Sequence, residues 1–195
     1  MAESIVRLSW VKLQDYKRHL AGLLYTHLRG MISSAKSFEW LPTKQEDEVI
    51  FRLIAEFRDN SRLRSIQTLR TGPRGIGLLQ YNHSYDRESG FFFTYEMDRR
   101  CTASLTPPAD FIEKPGFHLH VGILKEKVDQ TPGVPEEIRG HGGPHYGTVP
   151  VALDDVLAVI LVNYFEGEKD TLRKLELYAF RKWWYRLAVG QNGAR

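Results

Sequence analysis

Two histidines lie two positions apart in the segment Phe117-His118-Leu119-His120-Val121. Successive side chains of a β-strand point to opposite faces, so both imidazoles share one face and the apolar residues face the core. Imidazole titrates near neutral pH, and two neighbouring rings can therefore serve as general base and general acid. The structural alternative is a polar sheet face on which both histidines are hydrogen-bonded to neighbours.

A third histidine, His145, lies in the glycine-rich segment 140–147, where four glycines allow the backbone to approach a ligand closely. The alternative for this segment is a flexible solvent loop. We predict that His118, His120 and His145 are catalytic. A metal ion would need further ligands, and the candidates His141, His145 and Asp110 match no recognised zinc spacing. The sequence therefore predicts a site with no metal and no other cofactor.

Arginine is concentrated in residues 52–74, where six arginines are offset by only two acidic residues. Strand alternation puts Arg62, Arg64 and Arg70 on one face. Guanidinium groups fit phosphates and stack on bases. We predict an RNA-binding surface formed by these arginines and by the nearby alternating residues Tyr81, His83 and Tyr85. The alternative is a solvated sheet face with cross-strand ion pairs.

The elements that must position these residues follow from periodicity. Apolar residues at three- and four-residue spacings predict a helix over residues 8–32, and the aperiodic residues 33–47 predict a connector. Beyond them, β-rich runs separated by turn residues predict two hairpins, 49–57 with 63–69 and 77–85 with 91–97, and a fifth strand at 117–124.

The remaining segments are a long loop and two helices. Residues 125–150 are rich in Gly and Pro, which predicts a functional or mobile loop. Residues 153–165 are nearly all apolar and predict a buried helix, and 171–189 predict an aromatic, basic helix. The chain therefore predicts an α+β fold, an antiparallel sheet of about five strands with helices packed on one face, plus an N-terminal helix. We divide it into an N-terminal extension and connector, residues 1–47, and a core domain, 48–195.

Composition limits the classes of protein that fit. Of 195 residues, 42% are hydrophobic and 26% are charged, which is typical of a packed domain and not of a disordered chain. The single cysteine, Cys101, can form no internal disulfide, so we expect a reducing, cytoplasmic compartment. The longest apolar run, residues 156–162, is too short to span a membrane. A net charge of +3 permits a nucleic-acid partner without demanding one.

Several short motifs resemble the TumE-like family of toxins from prokaryotic toxin-antitoxin systems. They are the hairpin Phe51-Arg52-Leu53 to Asp59-Asn60-Ser61-Arg62-Leu63, the strands Tyr81-Asn82-His83-Ser84-Tyr85 and Phe93-Thr94-Tyr95-Glu96, the motif Phe117-His118-Leu119-His120, and Leu153-Asp154-Asp155-Val156-Leu157. The chain departs from the family where Thr94-Tyr95-Glu96-Met97 replaces an Arg-Tyr-Asp-Asn-like strand end. It also adds helices at both ends. The resemblance implies a cytoplasmic toxin that acts on RNA and is neutralised by a cognate antitoxin.

These observations predict a metal-independent nuclease. One of His118 and His120 would act as general base, the other or His145 as general acid, and the arginines would neutralise the phosphorane. The alternative is a non-catalytic protein-binding module of a toxin-antitoxin or defence complex, and a third hypothesis is a histidine-ligated metal enzyme.

Overall fold

The computed structural model of this chain describes residues 6–8, 10–97, 116–128, 133, 139, 145–148 and 150–165. The predictions that concern Cys101, Asp110, His141 and the helix at 171–189 lie outside these residues, as does most of the loop at 125–150. The chain divides into two compact units, Met1–Pro150 and Val151–Arg195, and each is described by itself.

The first unit combines a large sheet with short helices. Its elements are β1 (Val6–Arg7), α1 (Leu13–Gly22), β2 (Ile32–Pro42), β3 (Glu48–Phe57), β4 (Arg62–Gly72), β5 (Gly75–Asp86), β6 (Phe91–Met97), β7 (Phe117–Ile123), α2 (Lys125–Val128) and β8 (Tyr146–Gly147). The second unit contains α3 (Leu153–Tyr164). The predicted α+β class is confirmed, including the N-terminal helix.

The sheet is an antiparallel meander. Within the described residues its strands follow the order β2-β3-β4-β5-β6-β7-β8, and β1 pairs with β5 outside that path. Each strand on the path is hydrogen-bonded to the next strand in the sequence, which is the usual arrangement of consecutive strands. The predicted count of about five strands is wrong, because β2, β8 and β1 were not recognised.

The predicted connector at residues 33–47 is wrong over most of its length. Ile32–Pro42 forms β2, which pairs with β3 from Ile32 opposite Phe57 to Pro42 opposite Val49. Two register shifts interrupt this pairing, and such bulges break the two-residue alternation by which a strand is recognised. The proposed division at residue 47 therefore falls between two paired strands of one sheet.

The two hairpins and the strand at 117–124 are confirmed, as β3 with β4, β5 with β6, and β7. The turn between β3 and β4 has the predicted Asp and Asn chemistry. Asn60 adopts a left-handed φ of 62°, and the Ser61 amide donates to Asp59 Oδ1 at 3.1 Å. These features could be predicted from the sequence because each depends only on consecutive residues.

The N-terminal helix is shorter than predicted. α1 ends at Gly22, and a π-helical segment, Leu23–His27, follows it directly. The hydroxyl of Tyr16 donates to Gln67 Oε1 at 2.8 Å, and its ring meets Trp40 edge-on at 6.2 Å. α1 therefore packs on one face of the sheet, which we call the core face; it carries Phe51, Leu53, Leu63, Gln67, Leu69, Tyr81, His83 and Tyr85.

The predicted helix at 153–165 is confirmed as α3. Its N-terminus is closed by Asp155, whose Oδ2 accepts a hydrogen bond from the Ala152 amide at 2.8 Å. Leu157 and most other apolar residues of α3 are buried. Val162 is 49% exposed, so the predicted burial does not extend to the last turn. Within the described part of the chain, no helix has the length and apolar character needed to cross a bilayer.

Candidate functional site

His118 and His120 share one face of β7, as the alternation predicts. Phe117, Leu119 and Val121 lie on the core face, as expected, but they are only partly buried, whereas His118 and His120 are 1% and 2% exposed. The histidines lie on the sheet face opposite the core face, which we call the polar face. It also carries Arg64, Asn82, Ser84, Thr94 and Glu96.

Strand register brings the third predicted histidine to this pair. His118 pairs with Gly147 across β7 and β8, and continuing this antiparallel register sets His145 opposite His120. The ring centroids are 4.9 Å apart for His118 and His120, 5.2 Å for His118 and His145, and 4.4 Å for His120 and His145. We call these three residues the histidine cluster.

Glu96 of β6 binds two members of the cluster. Its Oε2 atom lies 3.0 Å from Nε2 of His118 and 3.3 Å from Nε2 of His120. An ionised carboxylate only accepts hydrogen bonds, so these two contacts suit ring forms that carry a proton on Nε2. Its Oε1 atom accepts a hydrogen bond from Asn82 Nδ2 at 2.5 Å. Glu96 is therefore held on both carboxylate oxygens.

Glu96 was not predicted as a site residue from the sequence. One signal was present, because alternation along residues 91–97 places Thr94 and Glu96 on one face. The histidines that Glu96 contacts could not be predicted, because residues 98–116 separate β6 from β7 and leave the register of these two strands undetermined. In the structure Glu96 is directly opposite His118, and Thr94 is opposite His120.

A cleft of about 610 Å³ adjoins the cluster on the polar face. Its walls include Asn82, Ser84, Thr94 and Glu96 of the sheet, and the segment 124–126 that leads into α2. The Glu96 side chain is 17% exposed. This carboxylate thus contacts the two buried histidines and also lines the cleft.

The three predicted arginines share a face of β4 but do not converge. Arg62 and Arg64 both bind the carboxylate of Asp86, at 3.4 and 2.9 Å, and Arg70 binds Glu48 at 2.7 Å near the other end of the strand. Of the three, Arg64 lines the cleft. The cross-strand ion pairs that were the alternative interpretation are present in the structure.

The three predicted RNA-binding residues of β5 lie on the core face. Tyr81, His83 and Tyr85 are buried, the rings of Tyr81 and His83 stack at 4.8 Å, and His83 Nδ1 is 2.9 Å from Ser65 Oγ. Buried rings offer no surface on which a base can stack. Their assignment to an RNA-binding surface is therefore corrected: alternation gave them a common face, and that face is buried.

No protein-family model matches the chain, and neither a curated protein nor a solved structure matches it significantly. The functional assignment consequently depends on the chemistry of the site itself.

Proposed function

We propose that the histidine cluster and Glu96 form the catalytic centre of an RNA-cleaving toxin that acts in the cytoplasm and is neutralised by a cognate antitoxin. One observation carries this proposal. Three imidazoles converge on the polar face, and the carboxylate that binds two of them also lines an adjoining cleft. Titratable groups clustered beside a cleft in this way are typical of catalytic sites.

The reaction that suits this set of groups is metal-independent transesterification. A neutral imidazole removes the proton of a ribose 2′-hydroxyl, and the 2′-oxygen attacks the neighbouring phosphorus. A 2′,3′-cyclic phosphate forms as the bond to the 5′-oxygen breaks, and a protonated imidazole returns a proton to that leaving oxygen. Two rings in opposite protonation states are sufficient, and each contributes about 10²- to 10⁴-fold to the rate.

Burial and hydrogen bonding divide the roles within the cluster. His145 is only partly buried, so it is the ring most accessible to a substrate. His120, whose ring centroid is 4.4 Å away, is the partner for proton transfer. Glu96 is a positioning residue, because its hydrogen bonds fix the orientation and tautomer of His118 and His120.

The cleft also offers cationic groups for a phosphate. Arg64 and Lys125 both line it. The Arg64 guanidinium is held by Asp86 at 2.9 Å, which orients its remaining N–H donors. An ordered guanidinium binds a phosphate with little loss of side-chain entropy. Arg64 therefore replaces the wider arginine surface as the candidate phosphate-binding residue.

The test is cleavage of unlabelled cellular RNA and of defined oligoribonucleotides by the purified protein and its variants. We expect H145Q and H120Q each to lower the cleavage rate by about 10²- to 10⁴-fold. The matched control is H19Q, which alters a histidine of α1 next to Trp10. Equal rates in H120Q, H145Q and wild type, with all three folded, would overturn the proposal.

A second candidate, a non-catalytic protein-binding module of a toxin-antitoxin or defence complex, is favoured by the burial of His118 and His120. A buried histidine–carboxylate group also stabilises a sheet without performing chemistry. In that case wild-type protein cleaves no RNA, H118Q/H120Q lowers the melting temperature, and the folded fraction keeps its affinity for the co-expressed antitoxin. RNA cleavage by wild type would exclude this candidate.

A further inference from the structure

We propose that His118, His120 and His145, with Glu96 as a fourth ligand, bind one divalent first-row transition-metal ion. One ligand nitrogen from each of the three histidines lies within 4.8 Å of the other two. The inference rests on the site of the proposed function but not on its reaction. It gives the imidazoles a different task, because a nitrogen that binds a metal cannot also accept a proton.

The spacing of the donor atoms supports a single ion. Zinc–nitrogen and zinc–oxygen bonds of about 2.0–2.1 Å in a tetrahedron place neighbouring ligand atoms about 3.3 Å apart. Glu96 Oε2 lies 3.0 and 3.3 Å from Nε2 of His118 and His120, which is this separation. The carboxylate oxygen therefore already lies at a ligand–ligand distance from each of these two nitrogens, and a nitrogen of His145 lies within 4.8 Å of one nitrogen of each of the other two rings.

The chemistry of the donors identifies the class of metal. Three imidazole nitrogens and one carboxylate oxygen suit Zn²⁺, Fe²⁺, Co²⁺ or Ni²⁺. Mg²⁺ and Ca²⁺ prefer shells of oxygen ligands and are disfavoured here.

Burial supports a bound cation. His118 and His120 are nearly inaccessible to water, and one carboxylate lies between them. A divalent ion at this point would replace two hydrogen bonds with coordinate bonds. Each ring would bind the ion through Nε2, which then carries no proton.

The surroundings provide an outer contact and a route of entry. Asn82 donates to the second oxygen of Glu96, which orients the carboxylate as outer contacts do in known metal sites. The cleft lined by Glu96 and Thr94 gives an ion access to the carboxylate.

The experiment measures metal binding directly. Full-length protein is stripped with a chelator and titrated with Zn²⁺ by calorimetry and with Co²⁺ by visible absorption. We expect one ion per chain and Co²⁺ d–d bands that Zn²⁺ abolishes. Removing a ligand in H145Q should weaken binding by about 100-fold or more, since even outer-contact mutations cost 10- to 100-fold. Two-dimensional NMR of the imidazoles should show the change from Nε2–H to Nδ1–H.

The control is H19Q, which preserves all four ligands and should bind as wild type does. If H118Q/H120Q fails to fold, H145Q alone decides the test, because its side chain is only partly buried. Absence of stoichiometric binding, or equal affinities in H145Q and H19Q, would overturn the inference. RNA cleavage by metal-free protein supports the proposed function, and the titration decides metal binding independently of it. Stoichiometric metal binding in a protein that cleaves no RNA supports the metal and overturns the proposed function.

Discussion

Glu96 connects two environments, since one of its oxygens accepts hydrogen bonds from two buried imidazoles while its side chain borders a cleft. A charged acceptor strengthens both hydrogen bonds relative to a neutral one. A neutral amide at this position preserves the shape of the side chain but removes its charge and presents a donor to one ring. The consequences of this substitution are therefore electrostatic and orientational.

We expect E96Q to lower the rate of RNA cleavage by about 10- to 100-fold, as loss of an orienting group typically does. The measurement is single-turnover cleavage of an oligoribonucleotide. The matched control is E88Q, an exposed glutamate that bonds Asn60 at 3.3 Å on the turn after β5. If E96Q and E88Q cleave equally well, Glu96 has no positioning role.

A second buried polar contact tests the packing of α1. The hydroxyl of Tyr16 donates to Gln67, and both side chains are inaccessible to solvent. Y16F leaves the glutamine acceptor without this donor, and we expect the free energy of unfolding to fall by about 1–3 kcal/mol. Urea denaturation measures it. Y25F, at a tyrosine that is 54% exposed, should change the value little; equal effects would mean that α1 is not anchored by this bond.

Residue by residue, the sequence predicted which histidines share a face but not what they meet there. Alternation is a property of one strand, so His118 and His120 were assigned from five residues. Their partner comes from another strand, and its identity depends on a register that no local pattern encodes. The same limit explains Tyr81, whose face was predicted but whose burial was not.

Among the secondary-structure elements, the turn between β5 and β6 supports the wall of the cleft. Gly90 has a φ of 89°, and its carbonyl accepts a hydrogen bond from the Leu124 amide at 2.8 Å. A Cβ added there would collide with the side chain of Lys127 in α2. The turn and α2 therefore fit together only around a glycine.

We expect G90A to lower the free energy of unfolding by about 1–3 kcal/mol, because it combines a strained φ with this collision. The control is G22A at the end of α1, where φ is −60° and no atom lies within 4 Å of an added Cβ. That variant should gain about 0.5–1 kcal/mol from its helix propensity. Thermal and urea denaturation measure both, and a neutral G90A would contradict the assigned turn.

The helix α3 allows a comparison within one element. Leu157 is fully buried and Val162 is 49% exposed. We expect L157A to cost about 2–5 kcal/mol of unfolding free energy through a lost contact surface and a cavity. V162A should cost less than about 0.5 kcal/mol. A difference of zero between the two variants, measured by urea denaturation, would contradict the burial of this helix.

Elements were predictable where their pattern was uninterrupted. The hairpins of β3 with β4 and of β5 with β6 combine regular alternation with turn residues, and both were predicted. β2 is as long as β4, but its two register shifts break the alternation. β8 has two residues, which is too short for any period to be visible. His145 directly precedes β8, so its place in the cluster depends on tertiary pairing.

For the molecule as a whole, the meander sets a gradient of protection across the sheet. β4 pairs along nearly its full length on both sides, as β3 does, whereas β2 and β8 lie at the ends of the described path. β5 is paired on its β6 side only over residues 81–86. We therefore expect the amides of β3 and β4 to exchange with solvent most slowly and those of β2 and β8 most rapidly. Hydrogen exchange followed by mass spectrometry tests this order, and uniform protection of all strands would contradict it.

Because β6, β7 and β8 are paired, the site also depends on whether its residues occupy odd or even positions along each strand. Glu96, His118 and His120 all have even numbers. His145 has an odd number but reaches the same face, because the pairing of β8 with β7 sets its register independently of the numbering. Inserting one residue into β7 between Phe117 and His118, with the pairing beyond it unchanged, moves Phe117 to the other face. Inserting two restores the original assignment. One-residue deletions within β7 should therefore disrupt the facing of its side chains, and two-residue deletions at the same place should restore it for the residues that remain.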